Sequence, residues 1–192
     1  MSAPASDPAA MTGVGGPYFE DLRVGDTARS APSLTLTAGH AAVHQAILGD
    51  RLRLPLDGGL SGQVLGGPLA HPGLVCDVSI GQSTVLTQRV VANLFYRGLA
   101  FRRAPVIGDT LRTTTTVTAL RQNSRRPGRA TTGLAALHIV TVDQEDRAVL
   151  DYWRCAMLPL RDPEAETGHR DDLDAISAAL TPEVLRQTTA GW

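Results

Sequence analysis

The chain has 192 residues, enough for one domain with a substantial core, and 43% of them are hydrophobic, as in an ordinary globular protein. Its formal net charge of −1 argues against a protein that binds nucleic acid or an anionic membrane through bulk charge. The sequence shows no apolar run long enough to span a bilayer and no secretory signal pattern, so we expect a cytoplasmic protein without nucleic-acid or membrane partners.

Cysteine and arginine usage adds two expectations. The two cysteines, Cys76 and Cys155, lie in apolar segments and are too few for a disulfide framework. We therefore expect buried thiols in a reducing compartment. All 18 basic residues are arginine, whose planar guanidinium suits the recognition of phosphate.

Composition divides the chain into three parts. Residues 1–16 are rich in Ala, Pro, Ser and Gly, which predicts a disordered tail. Residues 17–162 carry the periodic segments and form the predicted domain. Residues 163–192 are more charged, and the amphipathic pattern over 172–187 predicts a short helix that packs on the domain or on a partner.

The first half of the domain predicts two helices. Over 38–48 the apolar residues recur at helical spacing, Thr37 precedes them as a capping residue, and Gly49 follows as a stop. A short strand over 33–37 comes before this helix. The Gly-rich stretch from 50 to 67 has no clear period and is predicted as a loop. A second helix is expected between Leu74 and Ile80.

Strands dominate the second half of the domain. β-Branched residues and alternating polarity predict four of them, over residues 90–101, 110–121, 132–143 and 148–158. Short polar turns join them, so we expect an antiparallel meander and an α+β fold in which the sheet wraps a central helix, taken to be 38–48. Such a unit leaves an edge strand and a helix face uncovered, and this predicts a dimer.

Several short motifs occur in an order that resembles the MaoC-like hydratase and dehydratase family. They are Phe19-Glu20-Asp21-Leu22-Arg23-Val24-Gly25-Asp26, Thr35-Leu36-Thr37, Gly49-Asp50, Pro68-Leu69-Ala70-His71 and the segment from Phe101 to Leu111. The later stretch Val149-Leu150-Asp151-Tyr152-Trp153-Arg154 looks most like the branch that hydrates mesaconyl-CoA. The resemblance covers roughly residues 18–161 and implies a single hot-dog domain that acts on acyl thioesters.

The resemblance implies a site in which a carboxylate and an imidazole share a water and add it across, or remove it from, an α,β double bond. Asp50 matches the family's aspartate. The position of the family's histidine is occupied by Pro55, and the glycine that supplies an amide to the thioester oxygen is replaced by Pro72. His71, His44 and His40 are the candidate replacements for the imidazole, and Gly73 for the amide.

The remaining candidates concern metal and phosphate. His40 and His44 are four residues apart on one predicted helix face, but no third ligand is evident, so we expect no metal. His138 and His169 are interpreted as structural or solvated. Arginines around the predicted strands 90–101 and 110–121 and in the loop that follows could attract the phosphates of coenzyme A. They are Arg102, Arg103, Arg121, Arg125, Arg126 and Arg129. The candidates for substrate binding are Arg102, Arg103 and Arg126.

These features favour a hydratase or dehydratase of an enoyl-CoA or of a carrier-bound thioester, with no other cofactor. Two alternatives remain open at this point. One is a non-catalytic hot-dog subunit that completes the active site of a second MaoC-like chain. The other is a hot-dog thioesterase in which an aspartate activates water. The expected partners are the acyl thioester and a second MaoC-like chain, in a homodimer or a heterodimer.

Overall fold

A computed structural model describes residues 15–177 and 181–189. The predicted disorder of residues 1–16 therefore lies, for residues 1–14, outside the described residues. Among the described residues, none of the helices combines the length and the apolar character needed to cross a membrane.

The protein is built on a six-stranded antiparallel sheet. Its strands are β1 (Thr27–Ala28), β2 (Leu34–Thr35), β3 (Ala92–Phe101), β4 (Thr110–Gln122), β5 (Thr132–Val142) and β6 (Ala148–Pro159). They lie in the order β1-β4-β5-β6-β3, and β2 also pairs with β4. Strands β4, β5 and β6 form the predicted antiparallel meander, but in the described sheet β3 pairs with β6 and not with β4, so the expected neighbouring pair of the first two long strands is wrong. The boundaries of the four long strands differ from the predicted ones by no more than two residues.

Helices occupy the segment between β2 and β3, with one more near the end of the chain. They are α1 (Ala38–Leu48), α2 (Arg53–Leu56), α3 (Gly58–Leu65), α4 (Pro72–Gln82) and α5 (Pro182–Thr189). Helix α1 has the predicted ends. The hydroxyl of Thr37 accepts the amide of His40, and Gly49 ends the helix in the left-handed conformation with φ 59°.

The helix that the sheet wraps is α4, so the expectation that 38–48 is the central helix is wrong. Leu74 and Val75 of α4 are buried, and the Ser79 hydroxyl lies 3.2 Å from the Tyr152 hydroxyl of β6. Helix α1 is peripheral, since Ile47 is 76% exposed. The predicted helix between Leu74 and Ile80 is confirmed as part of α4, but its central position depends on enclosure by the sheet, which no local pattern reveals.

The predicted loop over 50–67 is also wrong in part, because it contains α2 and α3. The carboxylate of Asp57 accepts the amide of Leu60 and caps α3, and Gly66 ends this helix with φ 75°. Ser61, on α3, is fully buried; it donates to the carbonyl of Gly67 and accepts from the amide of Leu69. Tertiary burial and caps at both ends hold a helix that its glycine content disfavours.

The outer face of the sheet is covered by the segment after β6. Leu173 is buried there against Cys155 and Ala136. Arg97 of β3 fixes this segment by donating to the carbonyl of Leu173 at 2.9 Å. The predicted helix over 172–187 is confirmed only in its second half, as α5, because the residues up to Ser177 cross the sheet in a non-helical path.

Candidate active site

The end of helix α1 positions Asp50. The left-handed turn at Gly49 reverses the chain, and Asp50 follows it directly. Its Oδ1 atom accepts the amide of Leu52 at 2.8 Å, and the side chain is 5% exposed. A short carboxylate side chain that is fixed to its own backbone has little freedom to turn away, so its direction is set by the turn.

The start of helix α4 positions His71. This residue is the N-cap of the helix, and Pro72 occupies the first helical position, where a missing amide hydrogen costs nothing. The Nδ1 atom of His71 accepts the amide of Gly73 at 2.9 Å. Because a neutral imidazole that accepts through Nδ1 carries its proton on Nε2, the proton of His71 is assigned to Nε2.

Asp50 and His71 meet at the site. The Oδ1 atom of Asp50 lies 3.1 Å from Nε2 of His71, whose side chain is 17% exposed. The amide of Leu52 and the charge interaction with His71 together outweigh partial burial and hold the pKa of Asp50 below its usual value. Asp50 is therefore an ionised carboxylate at neutral pH, and it forms a dyad with the imidazole of His71 at 3.1 Å.

A second imidazole borders this dyad. His44 of α1 is buried, its ring centroid lies 4.8 Å from that of His71, and neither ring nitrogen has a hydrogen-bond partner in the described part of the chain. The Oδ2 atom of Asp77 is 3.6 Å from Nε2 of His44, and this carboxylate is 70% exposed. Sequence reasoning found His44 but missed Asp77, because only the packing of α1 on α4 brings the two together.

Two backbone amides at the start of α4 differ in their hydrogen bonding. The amide of Gly73, the candidate donor to a thioester oxygen, donates to His71 instead. The next amide, that of Leu74, has no acceptor among the residues that the structure describes. It belongs to the positive end of an eleven-residue helix, where developing negative charge is stabilised. The sequence analysis did not identify this amide.

His40 is separated from the dyad by its role in the cap of α1. Its Nδ1 atom accepts the amide of Thr37 at 3.3 Å, and its own amide donates to the Thr37 hydroxyl. The side chain is exposed at the opposite end of α1 from Asp50. The four-residue spacing of His40 and His44 thus does not bring both rings to one site.

The candidate arginines Arg102 and Arg103 are engaged with carboxylates. Arg102 lies 3.0 Å from Asp151, which also contacts His138 at 2.7 Å, and the His138 ring stacks on Trp153. Arg103 contacts Asp109 and Asp143. Arg126 lies on the connection from β4 to β5, at the other end of the sheet from the β3–β4 connection that pairs with the chain before His71.

Within residues 15–177 and 181–189, no three His, Cys, Asp or Glu side chains are arranged to hold a metal ion. Both cysteines are free thiols, and burial raises the pKa of Cys155 to about 11. The dyad itself offers a carboxylate and an imidazole, with a second imidazole and a helix N-terminus beside it.

Two curated proteins are similar to the chain over most of its length. A beta-methylmalyl-CoA dehydratase from Chloroflexus aurantiacus is 37% identical over 154 residues, which are 78% of this chain and 42% of that protein. A mesaconyl-CoA hydratase from Cereibacter sphaeroides is 29% identical over 153 residues, 78% of this chain and 43% of that protein. The chain thus spans less than half the length of these relatives. No protein-family model matches it.

Solved structures give the same picture. A conserved hypothetical protein from Mycobacterium tuberculosis, described as a double hotdog fold, is 57% identical with a TM-score of 0.80. The match covers 88% of this chain and 54% of that protein. A MaoC domain dehydratase from Chloroflexus aurantiacus is 34% identical with a TM-score of 0.74, over 81% of this chain and 44% of its own. Both similarities place the described sheet and helices in one hot-dog unit.

Proposed function

We propose that this chain, a member of the MaoC-like family with a hot-dog fold, adds water to the α,β double bond of an acyl thioester or removes it. The observation that carries the proposal is the 3.1 Å contact between Asp50 and His71. The family's histidine position is occupied by Pro55, and His71 brings an imidazole to the same carboxylate from another element. The names of the two curated relatives support this reaction class.

Asp50 is the general base in this proposal. In hydration the ionised carboxylate takes a proton from water while the water oxygen forms a bond to the β-carbon, and the double-bond electrons move toward the thioester. The carboxylic acid then returns the proton to the α-carbon, which regenerates Asp50. The net change is the addition of one water, and the reverse order gives dehydration. The lowered pKa of Asp50 keeps the base form populated at neutral pH.

His71 is a positioning residue for this base. Its Nε2 atom lies 3.1 Å from Asp50, and its Nδ1 accepts the amide of Gly73, so the ring cannot turn without losing that hydrogen bond. The amide of Leu74 is the proposed donor to the thioester oxygen as negative charge builds there. Both groups come from the first turn of α4, which couples orientation of the base to stabilisation of the oxyanion.

The proposed substrate is an enoyl-CoA with a branched, dicarboxylic acyl group. This proposal takes its chemistry from the substrates in the names of the two relatives, beta-methylmalyl-CoA and mesaconyl-CoA. The dyad itself acts on the double bond beside the thioester and makes no demand on the carrier. A thioester of an acyl-carrier protein is therefore the second substrate to test.

A second hot-dog unit is the proposed partner. Helix α1 exposes Val43, Ile47 and Leu48, and Leu94 and Tyr96 are exposed on the edge strand β3. Apolar side chains on a helix and along a free strand edge favour association with a surface of the same kind. The mycobacterial protein, in which the matched region is 54% of the chain and which is described as a double hotdog, supports this arrangement.

The test is turnover of mesaconyl-CoA, followed as loss of the enoyl thioester chromophore, by the wild-type chain and by Asp50→Asn. We expect hydration by the wild type and a loss of about 10²- to 10⁴-fold in the variant, with the fold intact by circular dichroism. Asp174→Asn, which removes an 89% exposed carboxylate on the outer face of the sheet, is the matched control. Release of free thiol without hydration would instead indicate a thioesterase, and full activity of Asp50→Asn would remove Asp50 from the mechanism.

A further inference from the structure

A cavity lies at the end of the sheet away from the dyad. It has a volume of about 690 Å³ and is formed by the connection from β4 to β5 together with the start of β3 and the end of β6. Strand β4 runs its full thirteen residues between the two ends, a path of up to about 40 Å at roughly 3.3 Å per residue. The cavity is thus distinct from the site of Asp50 and His71.

Three arginines line this cavity. Arg121, Arg126 and Arg129 face it, and none of the three forms an ion pair within the described residues. The neighbouring Arg125 differs, since it pairs with Glu164 and Glu166 and thereby takes up both glutamates of the segment after β6. An uncompensated set of three guanidinium groups around one hollow is an attractive site for an anion with several oxygens.

Part of the cavity lining is apolar. Val91 is 61% exposed beside Met157, and Ala130 and Pro159 belong to the same lining. A simple inorganic anion would make no contact that depends on these apolar side chains. A ligand that joins a flat aromatic base to phosphate groups would contact both the arginines and the apolar residues. Guanidinium groups bind phosphate in a fork and also stack on aromatic rings.

We propose that the cavity lined by Arg121, Arg126 and Arg129 binds a nucleoside phosphate. Two sources carry this chemistry: the phosphorylated adenosine end of a coenzyme A thioester, and a free nucleotide. The first source rests on the proposed function. An acyl-CoA held here would have its nucleotide end at the opposite end of the sheet from Asp50.

Calorimetric titration of the full chain with adenosine 3′,5′-bisphosphate tests the proposal without any turnover. The variant is Arg126→Ala/Arg129→Ala, which changes two exposed side chains on a loop. The control is Arg23→Ala/Arg29→Ala, which removes the same charge from two exposed positions that do not line the cavity. We expect saturable binding by the wild type and the control, weakened at high salt, and binding at least about tenfold weaker in the loop variant.

Absence of saturable binding to the wild type, or an equal loss in the control, would overturn the proposal. A second arm separates the two sources through KM for an acyl-CoA and for the same acyl group on pantetheine. If coenzyme A is the source, the loop variant raises only the first KM; if a free nucleotide is the source, neither KM changes although nucleotide binding is lost. A chain that binds nucleotide but lacks hydratase activity contradicts the proposed function alone.

Discussion

Asp50 and His71 are each fixed by the backbone amide two residues further along the chain. Leu52 donates to the carboxylate of Asp50, Gly73 donates to the imidazole of His71, and the two side chains meet at 3.1 Å. Each side chain is thus oriented locally, by the residues of its own turn. The dyad then depends on how the end of α1 is placed against the start of α4, and this placement is a property of the packing.

Replacement of His71 tests its positioning role. His71→Gln keeps an acceptor for the amide of Gly73 and a donor toward Asp50, whereas His71→Ala keeps neither. We expect the alanine variant to lose about tenfold to a hundredfold in kcat/KM, and the glutamine variant to lose less. The measurement is kcat/KM for both variants, and equal losses would show that the hydrogen-bonding groups of His71 play no part.

The pH profile adds a readout that a merely structural role would not change. The contact with His71 helps to lower the pKa of Asp50, so the base form is lost only as the pH falls below about 4. Removal of the imidazole raises the pKa of Asp50. The acid limb of kcat/KM should therefore move to higher pH in His71→Ala, and an unmoved limb would contradict the assignment of Asp50 as the base.

Gly73→Ala should impair the site more than the fold. A methyl group at this position would meet Nδ1 of His71 at 2.9 Å and Cε1 of His44 at 3.3 Å, so the His71 ring must turn away. Gly81→Ala, in the same helix with open space around it, is the control. Both changes favour the helix by roughly 0.5–1 kcal/mol. We expect a melting temperature that is unchanged or raised in both, and a loss of activity in Gly73→Ala alone.

Acid stability should depend on Asp143. This side chain is fully buried and contacts Arg103 and Arg147. Burial raises the pKa of Asp143, but hydrogen bonds from the backbone and side chain of Arg147, the amide of Glu145 and the charge of Arg103 outweigh it, so the pKa is lowered. A lowered pKa in the folded state gives stability that is complete above the unfolded value, near pH 4, and is lost as the pH falls through the folded value.

Asp143→Asn is therefore expected to lose about 2 kcal/mol of unfolding free energy at pH 7 and to show a weaker decline below pH 4 than the wild type. Urea denaturation between pH 3 and 7 measures both effects. Asp146→Asn is the control, because its carboxylate is 80% exposed and asparagine accepts the positive φ of 61° at this turn. Parallel stability curves for the wild type and Asp143→Asn would contradict the assignment.

Ile47→Glu tests the proposed association through α1. Ile47 is 76% exposed on a helix face that carries other apolar residues, and a buried glutamate there would be costly. Sedimentation velocity should show a dimer for the wild type and a monomer for Ile47→Glu, each with an unchanged circular dichroism spectrum. Arg53→Glu, which alters an exposed residue of α2, is the control. A wild-type chain that sediments as a monomer at all concentrations would contradict a homodimer.

The sequence predicted the strands well and the helices unevenly, for physical reasons. Thr114, Thr116 and Val117 favour extended chain wherever they are placed, so local preference and tertiary structure agree in β4. Helix α3 begins with two glycines and exists because Asp57 caps it and Ser61 is buried, neither of which a local pattern reveals. The central position of α4 was missed for the same reason, since enclosure by a sheet is a tertiary property.

The sequence predicted individual residues of the site but not the contacts between them. Asp50 and His71 were both candidates, but their contact depends on the packing of two helices and could not be derived from spacing. His40 and His44 show the converse: their spacing predicted a shared face, and the cap at Thr37 holds His40 elsewhere. The sequence could not identify the amide of Leu74. Whether a backbone amide has an acceptor depends on the surrounding structure and not on the side chain of its residue.

The bare apolar side of α1 has a consequence for how this protein behaves in dilute solution. Asp50 follows directly after this helix, so any shift of the helix moves the carboxylate relative to His71. If a second unit steadies α1, specific activity should rise with protein concentration and reach a plateau once the subunits are joined. Assays over a range of protein concentrations would then show full specific activity only where the subunits are associated.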